Sequence, residues 1–250
     1  MQPASGDPAS GAAKPRDYFA TTQWTMVLDA GRSDSTSARN ALAQLCQTYW
    51  YPIYAYVRRR GESPADAEDL TQGFFARLLE LNSLADVRCE KGKFRSFLLA
   101  SLNHYLSDEW DRQRAQKRGR ARLISLDAGM AEGRFSREPA DTLTPEKVFE
   151  RKWAMTLLET AVQRVQREYE LAGKGPLFLA LRFSIAEQKA GEPYAKLSAE
   201  LGLSEQALRV AVHRLRRRYR QLLRDEIGRT VATEAEVDGE IQHLYRALAG

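Results

Sequence analysis

The stretch Pro193–Leu223, PYAKLSAELGLSEQALRVAVHRLRRRYRQLL, decides how this sequence is read. A short amphipathic helix carrying Tyr194, Leu197, Ala199 and Leu201 runs into Gly202, a residue that readily takes the left-handed backbone of a tight turn. Leu203 is expected to plug the corner between two helices. Ser204 offers a capping oxygen to the second helix, and Glu205 sets a negative charge at that helix's positive N-terminus. Leu208, Ala211, Val212 and Leu215 then share a buried face, which leaves Gln206, Arg209, Val210, His213, Arg214 and Arg217 facing outward. These are the parts of a helix-turn-helix. In that geometry the early residues of the second helix meet base edges in the major groove and the later arginines meet phosphates. Arg209 is expected to read a base, because a guanidinium can bond guanine bidentately, and Arg214, Arg217 and Arg218 are expected on phosphates. A pair of surface helices with a solvated arginine face is the plainer alternative.

Working outward, the composition is that of an ordinary globular protein: 250 residues, 43% hydrophobic and 28% charged, enough for one large domain or two small ones. The formal charge of +5 says little, but its placement says more. Arg112, Arg114, Lys117, Arg118, Arg120 and Arg122 form one basic run, and Arg209 to Arg220 forms another, implying two places of contact with a polyanion. Cys46 and Cys89 fall in no CxxC pattern and suit a reducing cytoplasm. The histidines His104, His213 and His243 lack metal-ligand spacing, so no metal or cofactor is expected. No stretch approaches the roughly 20 apolar residues that span a bilayer. Gly173-Lys174-Gly175 lacks the spacing of a phosphate-binding loop, and no nucleophile sits beside a base in a recognisable pattern, which argues against an enzyme.

Periodicity predicts an all-α protein, since alternating strand patterns are nearly absent. Ala38–Arg60 carries apolar residues at helical spacing; Ser63 and Pro64 restart a helix that continues to about Leu81; another runs from Phe94 to about Arg118. Residues 1–17 read as a disordered tail and 119–144 as a flexible linker. About 25 residues extend to roughly 80–90 Å at about 3.3–3.6 Å each, more than two DNA turns of about 34 Å. An ordered surface loop is the alternative for that stretch. The second block begins near Pro145, and residues 228–250 form an extension with a predicted helix over Glu234–Leu248.

The class of the protein turns on the first block, which contains AEDLTQGFFARL at residues 67–78. This resembles the AEDLTQ-x-[VF]-F-x-[RK]-L signature of sigma factors of the extracytoplasmic-function type, which direct bacterial RNA polymerase to promoters. In that family the helix docks on a coiled coil of the polymerase clamp. The resemblance implies polar contacts from Asp69 and Gln72, with Asp66 and Glu68 adding negative charge against a basic partner. Gly73 departs from the pattern, where the family commonly has Glu, and weakens the helix by up to about 1 kcal/mol. The next helix, FRSFLLASLN at residues 94–103, is similar to the family's F-R-x-W-L-x-x-[IL]-A-x-N segment, with Phe97 in place of tryptophan and the alanine offset. Such a helix captures a base flipped from the promoter's minus-ten element, at a cost of a few kcal/mol recovered by stacking and hydrogen bonds.

Carried over residue by residue, the resemblance assigns Asn103 to the flipped base. Arg88, Lys91, Lys93 and Arg95 are expected on strand phosphates, and Arg112, Arg114, Lys117 and Arg118 extend the track. Phe94, Phe97 and Trp110 are expected in the core rather than as stacking platforms. The minus-35 element falls to Ser204, Glu205, Gln206, Arg209, Val210, His213, Arg214, Arg217 and Arg218. The implied organisation is two helical domains, 18–118 (region 2-like) and 145–227 (region 4-like), joined by the linker. The implied partners are core RNA polymerase, through its clamp coiled coil and flap, and promoter DNA in the cytoplasm, with no membrane. An anti-sigma partner and self-regulation by the C-terminal extension both stay open. A stand-alone helix-turn-helix regulator would use residues 193–223 alike but would have no need of the face at 67–78.

Overall fold

The computed structural model describes residues 36–80, 93–115, 126–136, 143–185 and 194–249, and every regular element among them is helical. The helices are α1 (Thr36–Arg59), α2 (Pro64–Glu80), α3 (Phe94–Ala115), α4 (Leu126–Phe135), α5 (Pro145–Leu171), α6 (Gly175–Leu181), α7 (Tyr194–Leu201), α8 (Glu205–Gly228) and α9 (Val237–Ala249), with short 3-10 turns at Arg182–Ile185 and Glu234–Glu236. The expected tail at 1–17 and much of the expected linker lie outside the described residues.

Local chemistry sets most of the boundaries. At the start of α2, Ser63 Oγ accepts the Asp66 N–H at 3.2 Å, satisfying a donor that a helix N-terminus leaves unpaired. At the start of α5, Thr144 Oγ1 accepts from the Lys147 N–H, with Pro145 in the first turn where its missing N–H costs nothing. Gly202 takes φ +65° between α7 and α8, the conformation a side chain would strain.

The two halves expected to be tethered share one core. Among the described residues α1 and α5 make the most extensive helix contact, and α8 and α9 also pack on α5. Tyr49, Ile53 and Tyr56 of α1, Phe94, Leu98 and Leu102 of α3, Phe149, Trp153 and Leu157 of α5, Leu208, Leu215 and Leu222 of α8, and Leu244 of α9 all belong to this cluster. Tyr49 meets Phe94 edge-on at 5.1 Å between centroids and lies stacked at 6.3 Å from Phe149, so one α1 aromatic touches both halves. Phe94 is fully buried and Phe97 and Trp110 pack partly buried against the core, as the sequence predicts.

The described part of the stretch read as a linker differs from that reading. Helix α4 docks on α1 and α2, where Glu132 accepts from Tyr54 Oη (2.6 Å), Arg58 Nε (2.9 Å) and an Arg58 amine (3.0 Å). Its sequence LDAGMAEGRF holds two glycines, each worth about 1 kcal/mol against a helix, which makes it look like a break. Tertiary contacts override that propensity.

Candidate nucleic-acid interface

Three surfaces carry the residues singled out by sequence. The first is α8. Ser204, with extended backbone, accepts the Ala207 N–H at 3.2 Å, and Glu205 occupies the first turn. Leu208, Val212 and Leu215 are buried, whereas Gln206, Arg209, Val210, His213, Arg214 and Arg217 are exposed. Arg209 is 67% exposed and sits 3.9 Å from Glu205, a surface pair worth little on its own. A groove of about 590 Å³ opens beside this face, lined by Tyr169, Lys174, Leu177, Gln206, Val210 and Arg214 among others. Arg218, expected on a phosphate, is instead turned back onto α5 in a bidentate pair with Glu168, at 2.7 and 2.6 Å. The hydrogen bond from Arg218 holds the Glu168 carboxyl below the ordinary carboxylate range.

The second surface is α2. Asp69 and Gln72 are exposed on one face over the buried stripe of Leu70, Phe74 and Leu78. Glu68 is buried, with its Oε1 accepting from Gln72 Nε2 at 2.9 Å. It therefore fixes the Gln72 side chain rather than adding charge toward a partner, because Glu68 falls on the inner side of the helix next to Ala67. Asp66 is engaged with the Ser63 cap. The glycine at 73 has a local reason: a Cβ there would lie 2.3 Å from Tyr105 Oη.

The third surface lies where α1 ends beside α3. Asn103 Oδ1 accepts from Tyr56 Oη at 2.8 Å and from Arg60 at 2.9 Å. The Arg60 guanidinium lies 4.5 Å from the Trp110 ring centroid and 5.7 Å from that of Tyr56. Sequence reasoning missed Arg60, which reads only as part of a basic helix end; the signal was its adjacency to an aromatic run, YWYPIYAYVRRR.

Lys93 and Arg95, expected on strand phosphates, point into a junction with the C-terminal helix. Arg95 is 9% exposed; its Nε donates to Glu240 at 2.6 Å, an amine donates to Glu150 at 3.0 Å, and its guanidinium lies 5.4 Å from the Trp153 ring centroid. Lys93 Nζ pairs with the other Glu240 oxygen at 2.5 Å. Burial alone would raise the Glu240 carboxyl, yet the hydrogen bonds from Arg95 and Lys93 hold it below the ordinary range. The N–H of Phe94, at the first turn of α3, donates to the Thr230 carbonyl at 3.2 Å, so chain past α8 also satisfies a helix-end donor. Arg95 turns inward because it shares the stripe of Leu98 and Leu102, which are fully buried.

Of the remaining basic run, Arg112 is exposed and pairs with Glu109. The side chain of Arg114, and Arg88, Lys91, Lys117 and Arg118 altogether, lie outside the described residues. Burial pushes the Cys46 thiol up to about 12, which leaves it protonated and unreactive at neutral pH. Among the described residues no cluster of His, Cys, Asp or Glu is arranged to hold a metal ion, and no helix is long and apolar enough to cross a membrane.

Compared with protein-family models, residues 45–116 match Sigma-70 region 2, a stretch that runs from within α1 to just past α3 and includes the α2 face and Asn103. This supports a sigma-70 family RNA polymerase sigma factor, with a role in polymerase binding and promoter melting. No curated protein and no solved structure matches the chain.

Proposed function

We propose that this protein is an RNA polymerase sigma factor of the extracytoplasmic-function type, not an enzyme, which binds core polymerase and selects and melts promoters. The observation that carries the reading is the Sigma-70 region 2 match at 45–116 followed, in the same chain, by a capped helix-turn-helix with an exposed arginine face. In this reading Asp69 and Gln72 contact the polymerase clamp, with Glu68 orienting Gln72. An acidic, hydrogen-bonding face over an apolar stripe suits a basic partner surface. Asn103 and Arg60 receive an unstacked base of the minus-ten element. Since the Asn103 carbonyl already accepts two hydrogen bonds, its amide N–H₂ would meet the base. Gln206, Arg209, Val210 and His213 read the minus-35 element, with Arg214 and Arg217 on phosphates. The second domain also meets the polymerase flap, and the protein acts in the cytoplasm.

The test is transcription from a genomic promoter library by purified core polymerase with and without the protein. New start sites that share two spaced upstream elements support the reading. No new starts, together with sequence-specific duplex binding by the protein alone, would replace it with a stand-alone helix-turn-helix regulator. Within the same assay Asp69→Ala should lower polymerase binding and leave duplex affinity unchanged; the opposite pattern would move the polymerase contact off α2.

A further inference from the structure

We propose that helix α9 is a built-in competitor for strand phosphates, with Glu240 occupying the cations that the melted minus-ten strand would need. The inference rests on the reading of the first half as a single-strand surface. Glu240 is 1% exposed, yet it lies on the apolar stripe of α9 with Val237 and Leu244, where a carboxylate is stable only with cations in reach. Lys93 and Arg95 supply them, one on each oxygen. Two further acids face the same surface: Glu150 pairs with Arg95, and Glu146 Oε1 lies 3.3 Å from the Tyr56 hydroxyl that also holds Asn103. Glu146 and Glu150 stand one turn apart on α5, so carboxylates from α5 and α9 run along the face assigned to the strand.

Carboxylates and phosphates compete for the same donors, and like charges cannot share them. The closed arrangement and a strand seated on Lys93 and Arg95 therefore exclude one another. The α2 face is not part of this junction: Asp69 and Gln72 stay exposed in the closed form. The shut protein can thus still present its polymerase-binding face while Lys93 and Arg95 are held by Glu240, and opening becomes a step that polymerase and the melted strand share. A ligand that binds only the open state shifts the balance by its differential affinity for the two.

The decisive comparison is the full-length protein against Glu240→Gln, which keeps the side chain's shape and removes the charge that balances Lys93 and Arg95. The probe is a short fluorescein-labelled oligo(dT), titrated over a range of salt. E240Q should bind up to about tenfold tighter, and its log affinity should fall more steeply with log salt by about 0.7 for Lys93 and by up to about 1.4 if the strand also draws Arg95 from Glu150. Adding Arg95→Gln to E240Q should remove most of that gain. A folded E240Q with wild-type affinity and slope overturns the latch. If E240Q loses its helical circular dichroism, amide exchange in the wild-type protein decides: oligo(dT) should speed exchange across 237–249, and unchanged protection there refutes the idea. Unchanged E240Q binding in a protein that does program polymerase removes the latch alone. A protein that neither directs initiation nor binds oligo(dT) in either form removes the sigma reading, and the latch with it.

Discussion

Arg95 on α3 and Arg209 on α8 are the same side chain in opposite settings. Arg95 is buried among Trp153, Glu150 and Glu240, with both carboxylates at hydrogen-bond distance. Arg209 is two-thirds exposed, with the Glu205 carboxylate 3.9 Å away. Removing one partner from a buried pair costs about 3–5 kcal/mol, because a charge is stranded, whereas an exposed pair contributes about 0–1 kcal/mol. Arg95 thus helps hold the molecule shut, whereas Arg209, Arg214 and Arg217 lie on the exposed face of α8. A count of arginines in the sequence treats both alike, and only the stripe each one shares separates them.

Trp153→Ala should break this contrast most forcefully. The ring is fully buried where α5 meets α9, under the Arg95 guanidinium and 6.0 Å from the His243 ring. Its loss should cost about 3–5 kcal/mol in urea unfolding, through the cavity left behind. Because the halves share a core, the wild-type protein should unfold in a single transition. Two separated transitions in the wild type, or a loss under about 1 kcal/mol in the variant, would mean that the halves do not depend on this junction.

Arg209→Ala tests the open side of the comparison with a smaller effect. Upstream duplex affinity should fall by about 1–3 kcal/mol, with the urea midpoint little changed since the side chain is two-thirds exposed. Binding to oligo(dT) should hardly move. An unaltered affinity for a cognate promoter would transfer base reading to Gln206 or His213.

Much of this contrast is legible in the sequence. The turn at Gly202, the cap at Ser204 and the sided arginines of α8 all appear there, because each is a local rule: a backbone conformation, one hydrogen bond, a period of 3.6 residues. Arg95 is in principle legible too. It falls three residues before Leu98 and seven before Leu102, as Glu240 falls between Val237 and Leu244, and a charge on an apolar stripe asks for a distant partner. What the stripe cannot say is which charge it meets, since Arg95 and Glu240 are 145 residues apart. Helix α4 is hidden for the same reason: its glycines speak against a helix locally, and the Glu132 contacts that hold it come from α1. Family resemblance says nothing of burial: at Glu68 and Arg95 a role carried over from the motif meets a side chain that this chain buries.

The smallest effect comes from Gly73, which lies on α2 away from the junction and so checks that the two surfaces are separable. Alanine there would favour the helix by about 0.8–1.0 kcal/mol over glycine. Its Cβ, however, would sit 2.3 Å from Tyr105 Oη, while the next nearest atom, Tyr105 Cζ, is at an ordinary 3.5 Å. Overpacking of that kind costs about 1–3 kcal/mol, so Gly73→Ala alone should be destabilising by up to about 2 kcal/mol. Tyr105→Phe removes the one clashing atom, and in that background the same substitution should become stabilising by up to about 1 kcal/mol. A double-mutant cycle in urea reads the change of sign. If Gly73→Ala destabilises equally in both backgrounds, the hydroxyl is not what keeps glycine at this position. If it also alters the oligo(dT) salt slope, then α2 is coupled to the latch, and the polymerase-facing side would hold the strand-facing side closed.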